Sequence, residues 1–168
     1  ADLAHKNHAG AVHLNVGSKP ALEEAIEAIR MSVRAYDPAL PVDRFLIDRM
    51  VASLRAEFIV GVSYKPGLGH ALVIGRGGTA VEELKDYATW LLPAGRAQIE
   101  DALAGLKISG KLRLSDTERT VLVTQIQAIA AFAEQHRSWL VELDVNPIIL
   151  DAAGRATAVD ALLRLAQE

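Results

Sequence analysis

A chain of 168 residues is long enough to bury one core, or two lobes of a single domain. Its 18 basic and 21 acidic side chains leave a net charge of -3 with no long basic run, so the footprint that nucleic acid requires is missing, and no apolar stretch approaches the roughly 18–20 residues of a membrane span. The absence of cysteine removes disulfides, thiolate metal sites and cysteine nucleophiles together, and fits a cytoplasmic protein. The sequence begins Ala1-Asp2-Leu3 without an initiator Met, so the natural start is expected upstream.

Ala11 to Val16 alternates as a half-buried strand does and ends at Gly17-Ser18. A helix is expected next, capped by Ser18, with Pro20 in its first turn and Leu22, Ile26, Ile29, Val33 and Tyr36 on one face. Asp37-Pro38 and Pro41 end it. Three strands follow as an antiparallel meander, Phe45 to Met50, Glu57 to Ser63 and Ala71 to Ile74, with Pro66-Gly67 turning the chain between the last two. Gly75-Arg76-Gly77-Gly78 opens into a short helix over Ala80 to Tyr87, and a second short helix after Pro93 carries Ile99, Leu103 and Leu106. A longer helix starts at the capping box of Ser115 and Glu118 and runs through Leu122, Ile126, Ile129 and Ala133 to about His136. Strand Leu140 to Leu150, turn Ala152-Ala153-Gly154, strand Ala156 to Asp160 and a tail helix over Ala161 to Leu165 complete the reading.

Glu142, Asp144 and Asn146 occupy every second position of the strand, so they share one face while Leu143 and Val145 point to the core. Pro147 interrupts further pairing beside them. Hard oxygen donors of this kind are what Mg²⁺ takes from a protein when nucleotide phosphates complete its octahedron. Asp160 joins the same face if the turn sets an even sum of paired positions, which 146 and 160 satisfy. The other reading of the triplet is an edge strand with a solvated polar face.

Leu143-Asp144-Val145-Asn146-Pro147-Ile148, with an aspartate fourteen positions after the asparagine, resembles the magnesium-binding hairpin of the succinyl-CoA synthetase beta subunit and the NDP-forming (ADP-forming) acyl-CoA synthetases, acetate-CoA ligases among them. The resemblance implies that Asn146 and Asp160 hold Mg²⁺ directly, with Asp144 and Glu142 in or beside its coordination shell. His5-Lys6-Asn7-His8-Ala9-Gly10-Ala11-Val12 is similar to the family segment His-Lys-Ser-Asp-x-Gly-Gly-Val, in which the histidine relays a phosphoryl group. This makes His5 the catalytic candidate, and Lys6 and Gly10 nucleotide-side candidates. An exposed His-Lys turn at a chain end is the alternative. Gly75-Arg76-Gly77-Gly78 with Glu82 and Asp86 resembles the family run Gly-x-Gly-Gly-x-x-x-Glu-x-x-x-Asp, where glycines alone would mean only a tight turn. Glu57 to Val62 resembles the family's Glu-x-x-x-Gly-Val strand, and Phe45 to Met50, with Asp48, falls at its adenine-contacting hinge. Asp48, Glu57, Gly77, Gly78 and Glu82 are therefore the further nucleotide-binding candidates.

The resemblance implies an α/β (α+β) ATP-grasp fold with a mixed or antiparallel sheet flanked by helices, truncated at its N-terminus. Residues 1–42 would be the remainder of the N-terminal lobe and 43–168 the C-terminal lobe with the nucleotide and Mg²⁺ site. It also implies ATP/ADP as nucleotide, and CoA-binding and ligase-CoA domains as partners, in the same chain or an alpha subunit, with acyl-CoA and CoA reached through them. The activity implied is interconversion of acyl-CoA, ADP and phosphate with acid, CoA and ATP, which this piece would not perform alone. His8, Ala11, Lys65 and His70 depart from the family pattern. Ala11, Lys65 and His70 motivate an alternative, a non-catalytic regulatory ATP-grasp domain fused to a protein acetyltransferase.

Overall fold

The structure, a computed structural model, describes residues 9–51, 53–78 and 85–166. The chain divides into two compact units, Ala1–Met50 and Val51–Glu168. In the first, α1 (Lys19–Tyr36) starts where expected: the Ser18 hydroxyl accepts from the Ala21 N–H at 3.3 Å, and Pro20 sits in the first turn, where its missing N–H costs nothing. It stops at Asp37, whose N–H donates to the Val33 carbonyl at 2.8 Å ahead of Pro38. Neither expected strand of this unit forms. Residues 11–17 and 41–50 have no regular structure, and Leu46 is 88% exposed, so alternation there reflects no buried face.

The second unit is a six-stranded antiparallel sheet: β1 (Leu54–Lys65), β2 (Gly69–Arg76), β3 (Tyr87–Leu91), β4 (Leu140–Asp151), β5 (Ala156–Ala158) and β6 (Ala161–Leu165). The order is β3-β2-β1-β4-β5, with β6 also on β4. Three helices, α2 (Arg96–Gly105), α3 (Lys107–Leu112) and α4 (Asp116–Gln135), lie between β3 and β4 in sequence. Phe58, Val60 and Val62 from β1, Leu72 and Ile74 from β2, and Leu143, Val145, Ile148 and Leu150 from β4 bury one sheet face against Ile99, Leu103, Leu122 and Ile126 of the helices. Because side chains alternate along a strand, Glu57, Ile59, Gly61 and Ser63 turn to the opposite face.

One expected helix is a strand, and another is described only at its end. Of the helix placed over 80–87, residues 80–84 lie outside the described residues, and Tyr87 opens β3, paired with Gly75. The tail helix over 161–165 is β6. Five residues are too few to be a stable helix alone, whereas β4 offers an unpaired row of backbone groups, and Ala161 to Arg164 fill it opposite Val145 to Glu142. Asp160 is therefore no helix cap.

The capping box at α4 forms as expected. The Ser115 hydroxyl accepts from the Glu118 N–H at 3.3 Å, and Glu118 Oε2 accepts from the Ser115 N–H at 2.8 Å. Glu118 is buried and also accepts from the Arg55 guanidinium, which donates to the Leu112 carbonyl at 2.8 Å. Burial by itself would raise the Glu118 carboxyl. The Ser115 hydrogen bonds and the Arg55 charge outweigh it and hold the group below its ordinary value. Replacing Glu118 with Gln should lower stability at neutral pH by about 1–3 kcal/mol in urea unfolding. A folded-state value below the unfolded one means this contribution is present above the unfolded value and fades as pH falls through the folded one, so the two proteins should converge in acid.

Candidate functional site

The acidic row lies on the sheet face opposite the helices. Glu142 pairs with Ser63 and Asp144 with Gly61 across β1, while Leu143 and Val145 are buried on the other side. Val145 faces Val60 and Ile148 faces Phe58, so β4 inserts one extra residue there, a bulge at Asn146-Pro147 opposite Ile59. That insertion lets Val145 and Ile148, three positions apart, both reach the core while Asn146 stays exposed between them. On the other edge of β4 one register holds on both sides of Asn146-Pro147, from Ile148 with Ala158 to Val145 with Ala161 and Glu142 with Arg164. Asn146 therefore stands opposite Asp160, as the even-sum reading anticipates, and its N–H donates to the Asp160 carbonyl at 3.1 Å.

Three carboxylates thus share one face. Burial raises the Asp144 carboxyl above its usual value, and the negative charges of Glu142 and Asp160 raise it further. Glu142 already has a counter-charge, since the Arg164 Nε lies 3.1 Å from its Oε2. Asp160 Oδ1 accepts from the Ala161 N–H at 3.0 Å. Among the described residues no group of three or more His, Cys, Asp or Glu side chains is placed to hold a metal ion by itself. What the row offers is an amide oxygen and carboxylates short of positive charge, a donor set that suits a hard cation whose remaining ligands come from a bound molecule.

The glycine loop meets the same face at Glu57. The Gly77 N–H donates to the Glu57 carbonyl at 2.7 Å, and a Cβ at Gly77 would fall 2.8 Å from the Glu57 Cβ and 3.0 Å from its carbonyl carbon. Gly78, at φ +92, lies against the Glu57 carboxylate, 3.1 Å from where its own Cβ would be. Glu57, Gly77 and Gly78 are thus one structural unit. Asp86, at the far end of the loop, turns instead to the helical layer, where its carboxylate accepts the N–H groups of Lys107 and Ile108 at 2.7 and 2.9 Å, at the start of α3.

The remaining candidates belong to the first unit or lie outside the described residues. His5, Lys6 and Glu82 lie outside the described residues. Gly10, at φ +63, packs on α1, where a Cβ would stand 2.8 Å from the Ser32 Cβ, and Asp48 is exposed in the irregular segment of the first unit. His70 is 6% exposed and donates through Nε2–H to the Leu140 carbonyl at 2.8 Å, a satisfied core histidine. A surface hollow of about 310 Å³ lies beside Arg55, Ser115, Glu118 and Gly154, where the capping groups already satisfy one another. Arg164 is the site residue that sequence reasoning missed. Had 161–165 been read as strand, Asp160, Leu162 and Arg164 would have alternated onto the acidic face.

The profile of the ATP-grasp domain family matches residues 1–165. A trans-feruloyl-CoA synthase of an unknown prokaryote is 32% identical over 97% of this chain, which spans 24% of that protein. The beta subunit of a Pyrococcus furiosus ADP-forming acetate-CoA ligase II is 28% identical over 97% of the chain, here 71% of the relative. The chain therefore spans about a quarter of one relative and most of a separate subunit in the other. A crystal structure of a Pyrococcus horikoshii protein superposes with a TM-score of 0.90 at 25% identity, covering 99% of this chain and 72% of that one. A Candidatus Korarchaeum cryptofilum acetyl-coenzyme A synthetase shares the fold at a TM-score of 0.81 and 21% identity, covering 98% of this chain and 72% of that one.

Gly77 of the loop and Gly61 of β1 should respond differently to a methyl group. Gly77→Ala forces a Cβ against strand backbone and should cost about 1–3 kcal/mol in thermal or urea unfolding. At Gly61 the same atom would meet the Asp144 Oδ1 at 3.7 Å, an ordinary contact, and Gly61→Ala should leave stability unchanged or raise it slightly.

Proposed function

Because this chain belongs to the ATP-grasp domain family, we propose that it is the nucleotide-binding module of an ADP-forming acyl-CoA synthetase, with Asn146 and Asp160 as the protein ligands of the Mg²⁺ that accompanies the nucleotide. The observation that carries the reading is the register that sets Asn146 opposite Asp160 on a face where Asp144 is short of positive charge. Bound there, Mg²⁺ would neutralise phosphate oxygens. The protein's part is to hold those oxygen donors in fixed register and to orient Glu57 through Gly77 and Gly78. Glu142, paired with Arg164, would sit beside the metal and not on it. One structure of the Korarchaeum enzyme is a complex with coenzyme A and Mg-AMPPCP whose phosphohistidine segment points towards the nucleotide binding site, which supports nucleotide as the ligand class.

The whole reaction proposed is acyl-CoA, ADP and phosphate to acid, CoA and ATP, by way of an acyl phosphate and a phosphohistidine. CoA-binding and ligase-CoA domains, within one polypeptide or as an alpha subunit, would supply the acyl and CoA sites. The relatives' names, one a full synthase and one a beta subunit, support both arrangements. Residues 1–42 and 43–168 are assigned to the two lobes on the same reading, and His5, Lys6, Gly10, Asp48 and Glu82 keep their roles as part of it.

Calorimetry of the full gene product with ADP should give binding that requires Mg²⁺; absence of binding at millimolar Mg-ADP would overturn the proposal. Asp160→Asn keeps the side chain's shape but removes a charge, and should weaken Mg-nucleotide binding by roughly tenfold or more, and turnover by about 10²–10³. Equal affinities in the two proteins would take Asp160 out of the metal site. His5→Ala should abolish phosphoryl transfer to ADP in the complete enzyme and leave Mg-nucleotide binding within about threefold, since covalent work contributes little to ground-state affinity. Unchanged turnover would return His5 to an exposed turn.

A further inference from the structure

Asp86 is 7% exposed, carries no counter-charge in an ion pair among the described contacts, and spends both carboxylate oxygens on backbone N–H groups. Its own backbone makes a second connection. The Arg76 N–H donates to the Asp86 carbonyl at 2.9 Å, directly beyond the last β2–β3 pair, Gly75 with Tyr87. The glycine at 75 permits this closure, because a Cβ there would stand 3.1 Å from the Asp86 carbonyl oxygen and 3.2 Å from an Ile59 side-chain carbon. The chain therefore leaves the sheet at Arg76 and returns at Asp86, and the next residue out, Gly77, is the one bonded to Glu57.

We infer that Asp86 is a positioning residue for the nucleotide site: by locking the base of the glycine loop to the start of α3, it fixes Gly77 and Gly78 against Glu57 and so sets where the Glu57 carboxylate points. Lys107 and Ile108 follow Leu106, a buried residue in extended conformation (φ -68, ψ 133), so their N–H groups are held by the helical layer and not by the loop. A rigid donor pair on one side and a backbone clasp on the other transmit the position of the core to the site face. A carboxylate suits this role better than an amide, because it accepts with both oxygens while asparagine accepts with one.

The inference rests on the nucleotide reading above, and the test separates the two. Mg-ADP affinity and melting temperature are measured on the full gene product for wild type, Asp86→Asn, Lys107→Pro and Lys107→Ala. Lys107→Pro removes one donor to Asp86 at a first helical position, where proline fits and the preceding residue already has the extended conformation that proline demands. Asp86→Asn and Lys107→Pro should each weaken Mg-ADP by roughly three- to tenfold. Lys107→Pro, which leaves the carboxylate and its second donor in place, should do so with a smaller loss of melting temperature than Asp86→Asn, and Lys107→Ala, which keeps the N–H, should bind as wild type does. Wild-type affinity in Asp86→Asn and Lys107→Pro overturns the positioning role while leaving the nucleotide reading intact. Affinity losses that merely track melting temperature, or failure of both variants to fold, make Asp86 a folding residue and overturn it equally. No binding by wild type removes the nucleotide reading and this inference together.

Discussion

The bulge at Asn146-Pro147 is the constraint on which the rest of the second unit depends. β4 is paired on both edges, with β1 on one side and β5 and then β6 on the other, so any slip in its register would carry every side chain to the wrong face. Proline has no N–H to give to a ladder, and one residue must be accommodated without a partner. The extra residue is taken up against β1, while on the other edge Ile148 with Ala158 and Val145 with Ala161 keep one register on either side of it. As a result the core receives both Val145 and Ile148, and the polar face receives Glu142, Asp144 and Asn146 beside Asp160 and Arg164. The same interruption that would weaken an ordinary central strand places an exposed amide oxygen next to a carboxylate.

Electrostatics on the two sides of this sheet run in opposite directions. At the start of α4, Glu118 is buried but surrounded by donors, and its charge stabilises the fold. On the polar face Asp144 is partly buried with two further acids for neighbours, and its carboxyl is raised, so ionising it costs the folded state. That cost is present above the raised folded value and disappears as pH falls below the unfolded one. Arg164 offsets part of the repulsion through Glu142, but as an exposed pair it is worth little. One chain thus satisfies one acid fully at the start of α4 and leaves another short of positive charge on the polar face, and the proposed Mg²⁺ site draws on that difference.

Much of this was legible in the sequence where a residue's type has only one good use. Ser115 and Glu118 at cap spacing, Ser18 with Pro20, and the period-two triplet at 142–146 all appear in the structure as their chemistry dictates. What failed were short apolar runs. Ala161 to Leu165 carries no period long enough to separate helix from strand, and the choice was made by vacant backbone groups on β4, a tertiary fact. Phe45 to Met50 failed for the converse reason, since the described residues of the first unit hold no second strand for it to pair with. The closeness of Gly77 to Glu57 could not be read from either segment alone, because it follows from the register of β1 on β2.

On the proposed reading, the departures from the family pattern within the second unit matter as far as their side chains reach the polar face. His8 lies outside the described residues. His70 does not reach that face: it lies in the buried part of β2 and is occupied in holding the Leu140 carbonyl, so a histidine at that position is a packing solution within this sheet. Ala11 belongs to the first unit, where Gly10, its neighbour, answers to Ser32 of α1. Lys65 is different. The alternation of β1 carries it to the same face as Ser63, which pairs with Glu142, though at the exposed end of the strand and far along it from Glu57. It changes a charge at that end of β1 and none of the oxygen donors Asn146, Asp144 and Asp160. Within the second unit, Lys65 is therefore the departure on which the alternative reading, a regulatory domain without turnover, rests.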